Sequence, residues 1–285
     1  MKRRSPRRAS ERAVRSLLIL AVAVAAAAQD AREIVRRSIE KDQTNRSLRR
    51  QYTCIQKSSE TQFEKDGKVK SSTNTVREVL NLYGHPFNKL IEKNGKRLTS
   101  AEEQKEKERL EKFTARWANE SEDDRRKRQE HAKQNRLKQQ AFMREIADAY
   151  DFKIVGEEKI AGQDAWIIQA EPHPGFKAKT PEGKYLAKIH GKVWIDKAQY
   201  QWVKADAETI DTISYGLVLL RLYKGSRLQF EQTRVNDEIW LPKMERVTAG
   251  GRLGLFVRAS LDQTTTYENY RKFQTNSKLV LAEDP

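Results

Sequence analysis

Apolar and polar positions alternate with a period of two over most of the chain after residue 150 and again between residues 51 and 99. That period places alternate side chains on opposite faces of a strand. QYTCIQKSSETQFE and KVKSSTNTVREVLNLYG flank Lys65-Asp66-Gly67-Lys68, and Asn94-Gly95 separates NKLIEK from KRLT. Asp-Gly and Asn-Gly between such runs predict hairpins. Downstream, DFKIVGEEKI and DAWIIQAEP flank Ala161-Gly162-Gln163, and a loop rich in Pro, Gly and Lys follows. GKVWIDKAQYQWVKADAE then reads as a hairpin around Lys197-Ala198-Gln199. GLVLLRLYKG and SRLQFEQTRV lead to an Asn236-Asp237 turn, and EIWLPKMERVT, RLGLFVRAS and TTTYENYRKF follow as further strands. Pro242 cannot donate to a ladder, so it marks an edge or a bulge. About eleven short strands at regular spacing predict one large, curved or partly closed antiparallel sheet.

Two segments break that period. Ala31, Ile34, Val35 and Ile39 recur at helical spacing within residues 29 to 47. At LTSAEE, Ser100 with Glu103 three residues later has the form of a capping box. Residues 101 to 149 carry 13 Lys/Arg against 12 Asp/Glu, so little there can enter a core. Leu110, Phe113 and Trp117 form one apolar stripe; Leu137, Ala141, Phe142 and Ile146 form another. Two helices, each docked by one stripe, with a mobile or solvent-bridging middle, account for the pattern. The run DDRRKRQ within it reads as a solvated helix face.

The first residues change the count of charges. MKRRSPRRASERAVRS holds seven Lys/Arg and one Glu, and the twelve apolar residues LLILAVAVAAAA follow it. Basic segment, short apolar run and small-residue site at Ala26-Ala27-Ala28 are the marks of a secretory signal peptide over residues 1–28. Twelve residues fall short of the roughly 20 needed to span a bilayer. The expected mature protein is a soluble periplasmic domain, residues 29–285, with a charged insert at about 100–149. Removing the leader's +6 from the full chain's +16 leaves +10. Charge of that size in a cytosolic protein points to nucleic acid. Export weakens that reading, because the partners outside the cytoplasm are anionic lipid, polysaccharide and cell wall, and no nucleic-acid partner is expected. Cys54 is the only cysteine, so no internal disulfide supports the fold; its place in QYTCIQ predicts a buried, unreactive thiol.

Candidate chemistry is sparse. The four histidines, His85, His131, His173 and His190, have no metal-ligand spacing to one another or to Cys54. No G-x-S-x-G, phosphate-binding glycine loop or H-E-x-x-H occurs. The reading is therefore of a non-enzymatic protein without a cofactor. Strand alternation gives the more informative signal. Val193 and Ile195 share a face, with Trp194 and Asp196 behind; Val203, Ala205 and Ala207 share another, with Trp202, Lys204 and Asp206 behind. Leu253, Leu255 and Val257 alternate with Gly254, Phe256 and Arg258. Such aliphatic, small-residue rows either pack beneath a helix or leave room for an apolar ligand.

GKVWIDKAQYQWVKADAE and FEQTRVNDEIWLPKMERVTAGGRL together resemble the outer-membrane lipoprotein-sorting, or LolA-like, superfamily, which also contains RseB-like periplasmic sensors. The resemblance covers about residues 152 to 274, with the earlier hairpins fitting more loosely. It implies an α+β fold: an unclosed β-barrel whose concave side is covered by helices. It also implies a carrier or binder of a lipid or lipidated protein, holding acyl chains in an apolar cavity. Val193, Ile195, Val203, Ala205, Leu253, Leu255 and Val257, with Trp166 and Ile168 nearby, are the residues expected to line it. An envelope protein met through the charged insert, and transient contact with a membrane surface, are further partners expected of the chain itself. The charged insert departs from the superfamily's simple lid and leaves a second reading open: an interaction or stress-sensing module with no lipid cargo.

Overall fold

The period-two stretches form a thirteen-stranded antiparallel sheet in the computed structural model, which describes residues 31–272 apart from 43, 44, 46, 47, 65, 216–219 and 254–256. The expected leader lies outside the described residues. The strands are β1 (Tyr52–Phe63), β2 (Val69–Leu82), β3 (His85–Lys93), β4 (Lys96–Arg97), β5 (Tyr150–Ile160), β6 (Gln163–Pro172) and β7 (Ile189–Asp196). After them come β8 (Trp202–Thr209), β9 (Ile213–Tyr215), β10 (Leu220–Leu222), β11 (Arg227–Val235), β12 (Ile239–Leu253) and β13 (Val257–Lys272). The order across the sheet is β4-β3-β2-β1-β13-β12-β11-β8-β7-β6-β5, with β9 and β10 branching from β12. β4 and β5 are the two ends of that path, so the sheet is not closed. The fold is α+β, as the sequence predicts, with thirteen strands rather than eleven.

Turn chemistry sets the hairpins. Asn94-Gly95, Ala161-Gly162 and Asn236-Asp237 have positive φ at both residues, the geometry that matches strand twist. Tyr83-Gly84 does the same between β2 and β3 without an Asn or Asp to announce it. Pro242 sits inside the sheet at a register shift: Glu231 pairs Met244 while Gln232 pairs Pro242, leaving Lys243 as the extra residue of a bulge. RLGLFVRAS is not one strand. Leu253, ending β12, pairs antiparallel with Val257, starting β13, so the chain reverses between them.

Among the described residues three α-helices and a short 3-10 helix, Gly183–Lys188, accompany the sheet. The first, α1, is helical at residues 31–42, 45, 48 and 49 of those described; it buries Ala31, Ile34, Val35 and Ser38. α2 spans Ser100–Ala118 and α3 spans Glu122–Ala149. The capping box of α2 falls one residue earlier than the sequence suggests: Thr99 is the N-cap and Glu102 its partner, because Ser100 is already helical. Phe113 and Trp117 of α2 dock on β3, with Trp117 stacked on His85 at 3.5 Å and Phe113 tilted against Phe87 at 5.0 Å. The segment between the stripes is helical on both sides of a break at residues 119–121, and most of it is exposed. Leu137 and Ala141 point to solvent and drop out of the second stripe, which docks through Phe142 and Ile146 alone.

Residues directly opposite in a ladder share a face. One row across the sheet reads Ile154, Ile168, Val193, Ala205, Phe230, Glu245, Thr265, Ser58 and Thr75. The row beside it reads Phe152, Ala170, Gly191, Ala207, Leu228, Val247, Gln263, Glu60 and Thr73. Both rows are apolar over β5–β8 and polar over β13, β1 and β2. The main core forms on the apolar part, where Ala31, Ile34 and Val35 of α1 meet Phe152, Ile168 and Ile195.

Candidate functional site

Small side chains leave space beneath the helices on that apolar part. Ala170, Gly191, Ala205 and Ala207 lie side by side on adjacent strands, and together with Val193 and Ile195 they border a cavity of about 300 Å³. Val35 and Ile39 of α1, Met143 and Ile146 of α3, and Leu186 from the connection before β7 complete its apolar wall, with the hydroxyl-bearing Ser38 between them on α1. Tyr150, Phe152 and Trp202 supply the aromatic rings. The volume is at the lower end of the range for small-molecule sites, about 300–1,000 Å³.

Gly191 is required by backbone approach. A Cβ there would collide with the carbonyl oxygen of Asp206 and meet Ala207 Cα at 2.9 Å. Lys192 and Asp206 are cross-strand partners, and strand alternation turns both side chains to the reverse face. There Arg227 holds Asp206 through its Nε at 2.6 Å and through Nη2, and Gln229 adds a bond at 3.2 Å. The Arg227 bonds hold the Asp206 carboxyl below its ordinary range against the cost of burial. At the cavity's edge His190 Nδ1 lies 3.5 Å from Glu171.

The helical side is latched by one buried carboxylate. Glu145 of α3 is 3% exposed. It accepts the backbone N–H groups of Lys179 and Thr180 and the Thr180 hydroxyl. Burial alone pushes its carboxyl up, but these donors outweigh burial and hold it below its ordinary value. Gly183 lies close beside it: a Cβ there would displace the Glu145 carboxylate from its donors. The loop leading to Leu186 is thereby tied to the helix carrying Met143 and Ile146. Tyr150 closes the same corner by donating to the Leu186 carbonyl at 3.0 Å, and burial raises its hydroxyl well above the ordinary value.

Of the residues the sequence selects, Val193, Ile195 and Ala205 line the cavity. Ile168 and Trp166 are opposite Val193 and Ile195 and belong to the surrounding core. Val203 does not line it. The ladder between β7 and β8 slips, pairing Trp194 with Lys204 and Ile195 with Trp202. Val203 is the extra residue of that bulge and packs behind the sheet with Trp194, Ala165, Ile160 and Trp240. Trp202 takes its expected place, with Phe230 4.7 Å away. Leu255 and the side chains of Leu253 and Val257 lie outside the described residues; the backbone of the last two is at the far end of the β12–β13 hairpin. Strict alternation cannot reveal a bulge, so Trp202 was hidden. The helix residues were hidden because no local pattern states where a helix docks.

No family model and no curated protein sequence matches the chain. Solved structures align over most of its length. A domain from Vibrio parahaemolyticus assigned to the outer membrane lipoprotein-sorting proteins is 12% identical, with 86% of this chain and 95% of that chain covered at a TM-score of 0.33. A LolA-superfamily protein from Nitrosomonas europaea is 9% identical, with 86% and 94% covered at 0.29. MucB in the MucA/MucB complex of Pseudomonas aeruginosa is 12% identical, with 85% and 99% covered at 0.24. Likeness at this level supports no assignment of activity.

Proposed function

We propose that the chain is a non-enzymatic periplasmic binder of a lipid or lipidated protein, and that the cavity between α1, α3 and β5–β8 receives one acyl chain. The observation that carries this reading is the row of small residues. Ala170, Gly191, Ala205 and Ala207 border empty volume where larger aliphatic side chains would have filled the core. About 300 Å³ holds about ten water-sized groups of about 30 Å³ each. At about 0.8 kcal/mol per buried methylene, ten of them supply about 8 kcal/mol. Before the costs of ordering the chain, that corresponds to about micromolar binding.

Filling the cavity tests the reading. Ala207→Trp places an indole among the lining residues and is expected to weaken a fluorescent fatty-acid analogue at least about tenfold, an effect of about 1.4 kcal/mol. Lys153→Ala, on the exposed surface of β5, leaves binding unchanged. An Ala207→Trp protein that melts as the parent does and binds the analogue equally well contradicts the assignment.

A further inference from the structure

The basic residues of α3 fall into two groups with different surroundings. Arg125, Arg126, Lys127 and Arg128, the run most conspicuous in the sequence, each have an acidic neighbour in Glu120 or Asp123. Those two carboxylates absorb much of their charge. Further along, Lys133, Arg136, Lys138 and Arg144 are all exposed and have no acidic group within 4.0 Å among the described residues.

Helical geometry sorts this second group. At 3.6 residues per turn, Lys133, Arg136, Leu137 and Arg144 lie within an arc of about 100°. Phe142 and Ile146, which dock the helix on the core, point to the other side. Over residues 133–144 the arc therefore faces away from the sheet, and Leu137, 52% exposed, lies at its edge, between the cations along the helix axis. Lys133 and Arg144 are about 16 Å apart along the axis. Glu130 and Asp148 flank the arc, bonded to Gln134 and paired with Lys179 respectively.

We infer that this outward stripe of α3 docks the protein on a membrane surface containing anionic lipid. Charge complementarity fixes the sign of the partner. The form of the stripe selects a membrane over an acidic protein. Protein interfaces are anchored by aromatic residues seated in pockets and are depleted in lysine; this stripe has no aromatic residue and carries spaced cations around a single leucine. A planar anionic surface needs only such an array, with the leucine entering the headgroup boundary. Arg144 directly follows Met143, which lines the cavity, so the docked stripe continues into the helix end that covers the cavity.

The test is flotation of the full mature chain with phosphatidylcholine vesicles, with and without phosphatidylglycerol. Binding is expected only with the anionic lipid and is lost in high salt. Lys133→Gln/Arg144→Gln removes two charges from the stripe and is expected to cost about 25-fold in partitioning, at about fivefold per residue. Lys127→Gln/Lys138→Gln removes the same charge from the flank of the helix and costs less than about threefold. All four positions are exposed, and unchanged melting shows that the helix persists. Equal losses for the two double variants, or no binding to anionic vesicles, overturn the inference. So does binding to polyglutamate in place of vesicles, which assigns the stripe to an acidic protein. Filling the cavity with Ala207→Trp leaves flotation unchanged, so this result stands apart from whether the cavity takes an acyl chain.

Discussion

The two ends of a single cross-strand row do different work on one face of one sheet. Over β5–β8 the row is Ile154, Ile168, Val193 and Ala205, and α1 and the last turns of α3 close over it. Over β13, β1 and β2 the same row is Thr265, Ser58 and Thr75, and it is stitched laterally by hydroxyls and amides. Ser58 Oγ and Thr265 Oγ1 are 3.2 Å apart, and Gln263 donates to Ser58 at 3.2 Å. Burying apolar surface stabilises by about 25 cal/mol per Å², whereas these polar groups lose little by facing water. α1 and the C-terminal turns of α3 are therefore held over the apolar part of the row, whereas α2 docks beyond its polar part, on the aromatic residues of β3. This also explains α3: its C-terminal turns dock where there is apolar surface, and its remaining length stays in solvent because nothing beneath it rewards contact.

The largest test of that contrast introduces the same side chain at the two ends of the second row. Gly191→Val drives a Cβ into the Asp206 carbonyl and is expected to cost about 4 kcal/mol or more, with loss of a cooperative urea transition. Thr73→Val, at the polar end, is expected to change stability by no more than about 0.5 kcal/mol. Similar effects at both positions would mean that the two halves are packed alike.

Cys54 reports on closure at the polar end. Burial pushes its thiol up to about 11, although Tyr270 hydrogen bonding opposes the shift. At about pH 8 its reaction with a disulfide reagent is expected to be at least about 100-fold slower than in the unfolded chain. A rate near the unfolded one would show that β1 opens readily.

Glu145→Gln loosens the latch over the apolar end. An amide replaces an acceptor-only carboxylate among three donors, at a cost of about 2 kcal/mol near neutral pH. The parent's Glu145 has a folded pKa below its unfolded value. Its contribution is thus full above the unfolded value of about 4.3 and is lost as pH falls through the folded value. The stability gap between parent and Glu145→Gln, read from urea transitions across acidic pH, should close in that window. A gap independent of pH would show that the carboxylate's charge contributes nothing.

Much of this fold was legible because its signals are local. Asn94-Gly95 and Asn236-Asp237 declare their turns, and alternation in Val193–Ile195 and Ala205–Ala207 declares the apolar face. Tyr83-Gly84 was silent because tyrosine is an unusual residue for positive φ. The cavity was legible in part: Val193, Ile195 and Ala205 line it, but one bulged residue, Val203, exchanged its place with Trp202. The reversal between Leu253 and Val257 was hidden because an apolar run carries no mark of direction. Val35, Ile39, Met143 and Ile146 reach the cavity only through docking of distant segments, which no short window encodes.

The central claim is that the space beneath α1 and α3 is a ligand site and not a packing defect. Native mass spectrometry of the mature protein, purified without detergent and followed by organic extraction, tests it most directly. The account predicts a stoichiometric adduct bearing one acyl chain, which disappears in folded Ala207→Trp. Folded parent protein with a clean apo mass, and no uptake of added fatty acid, would contradict it.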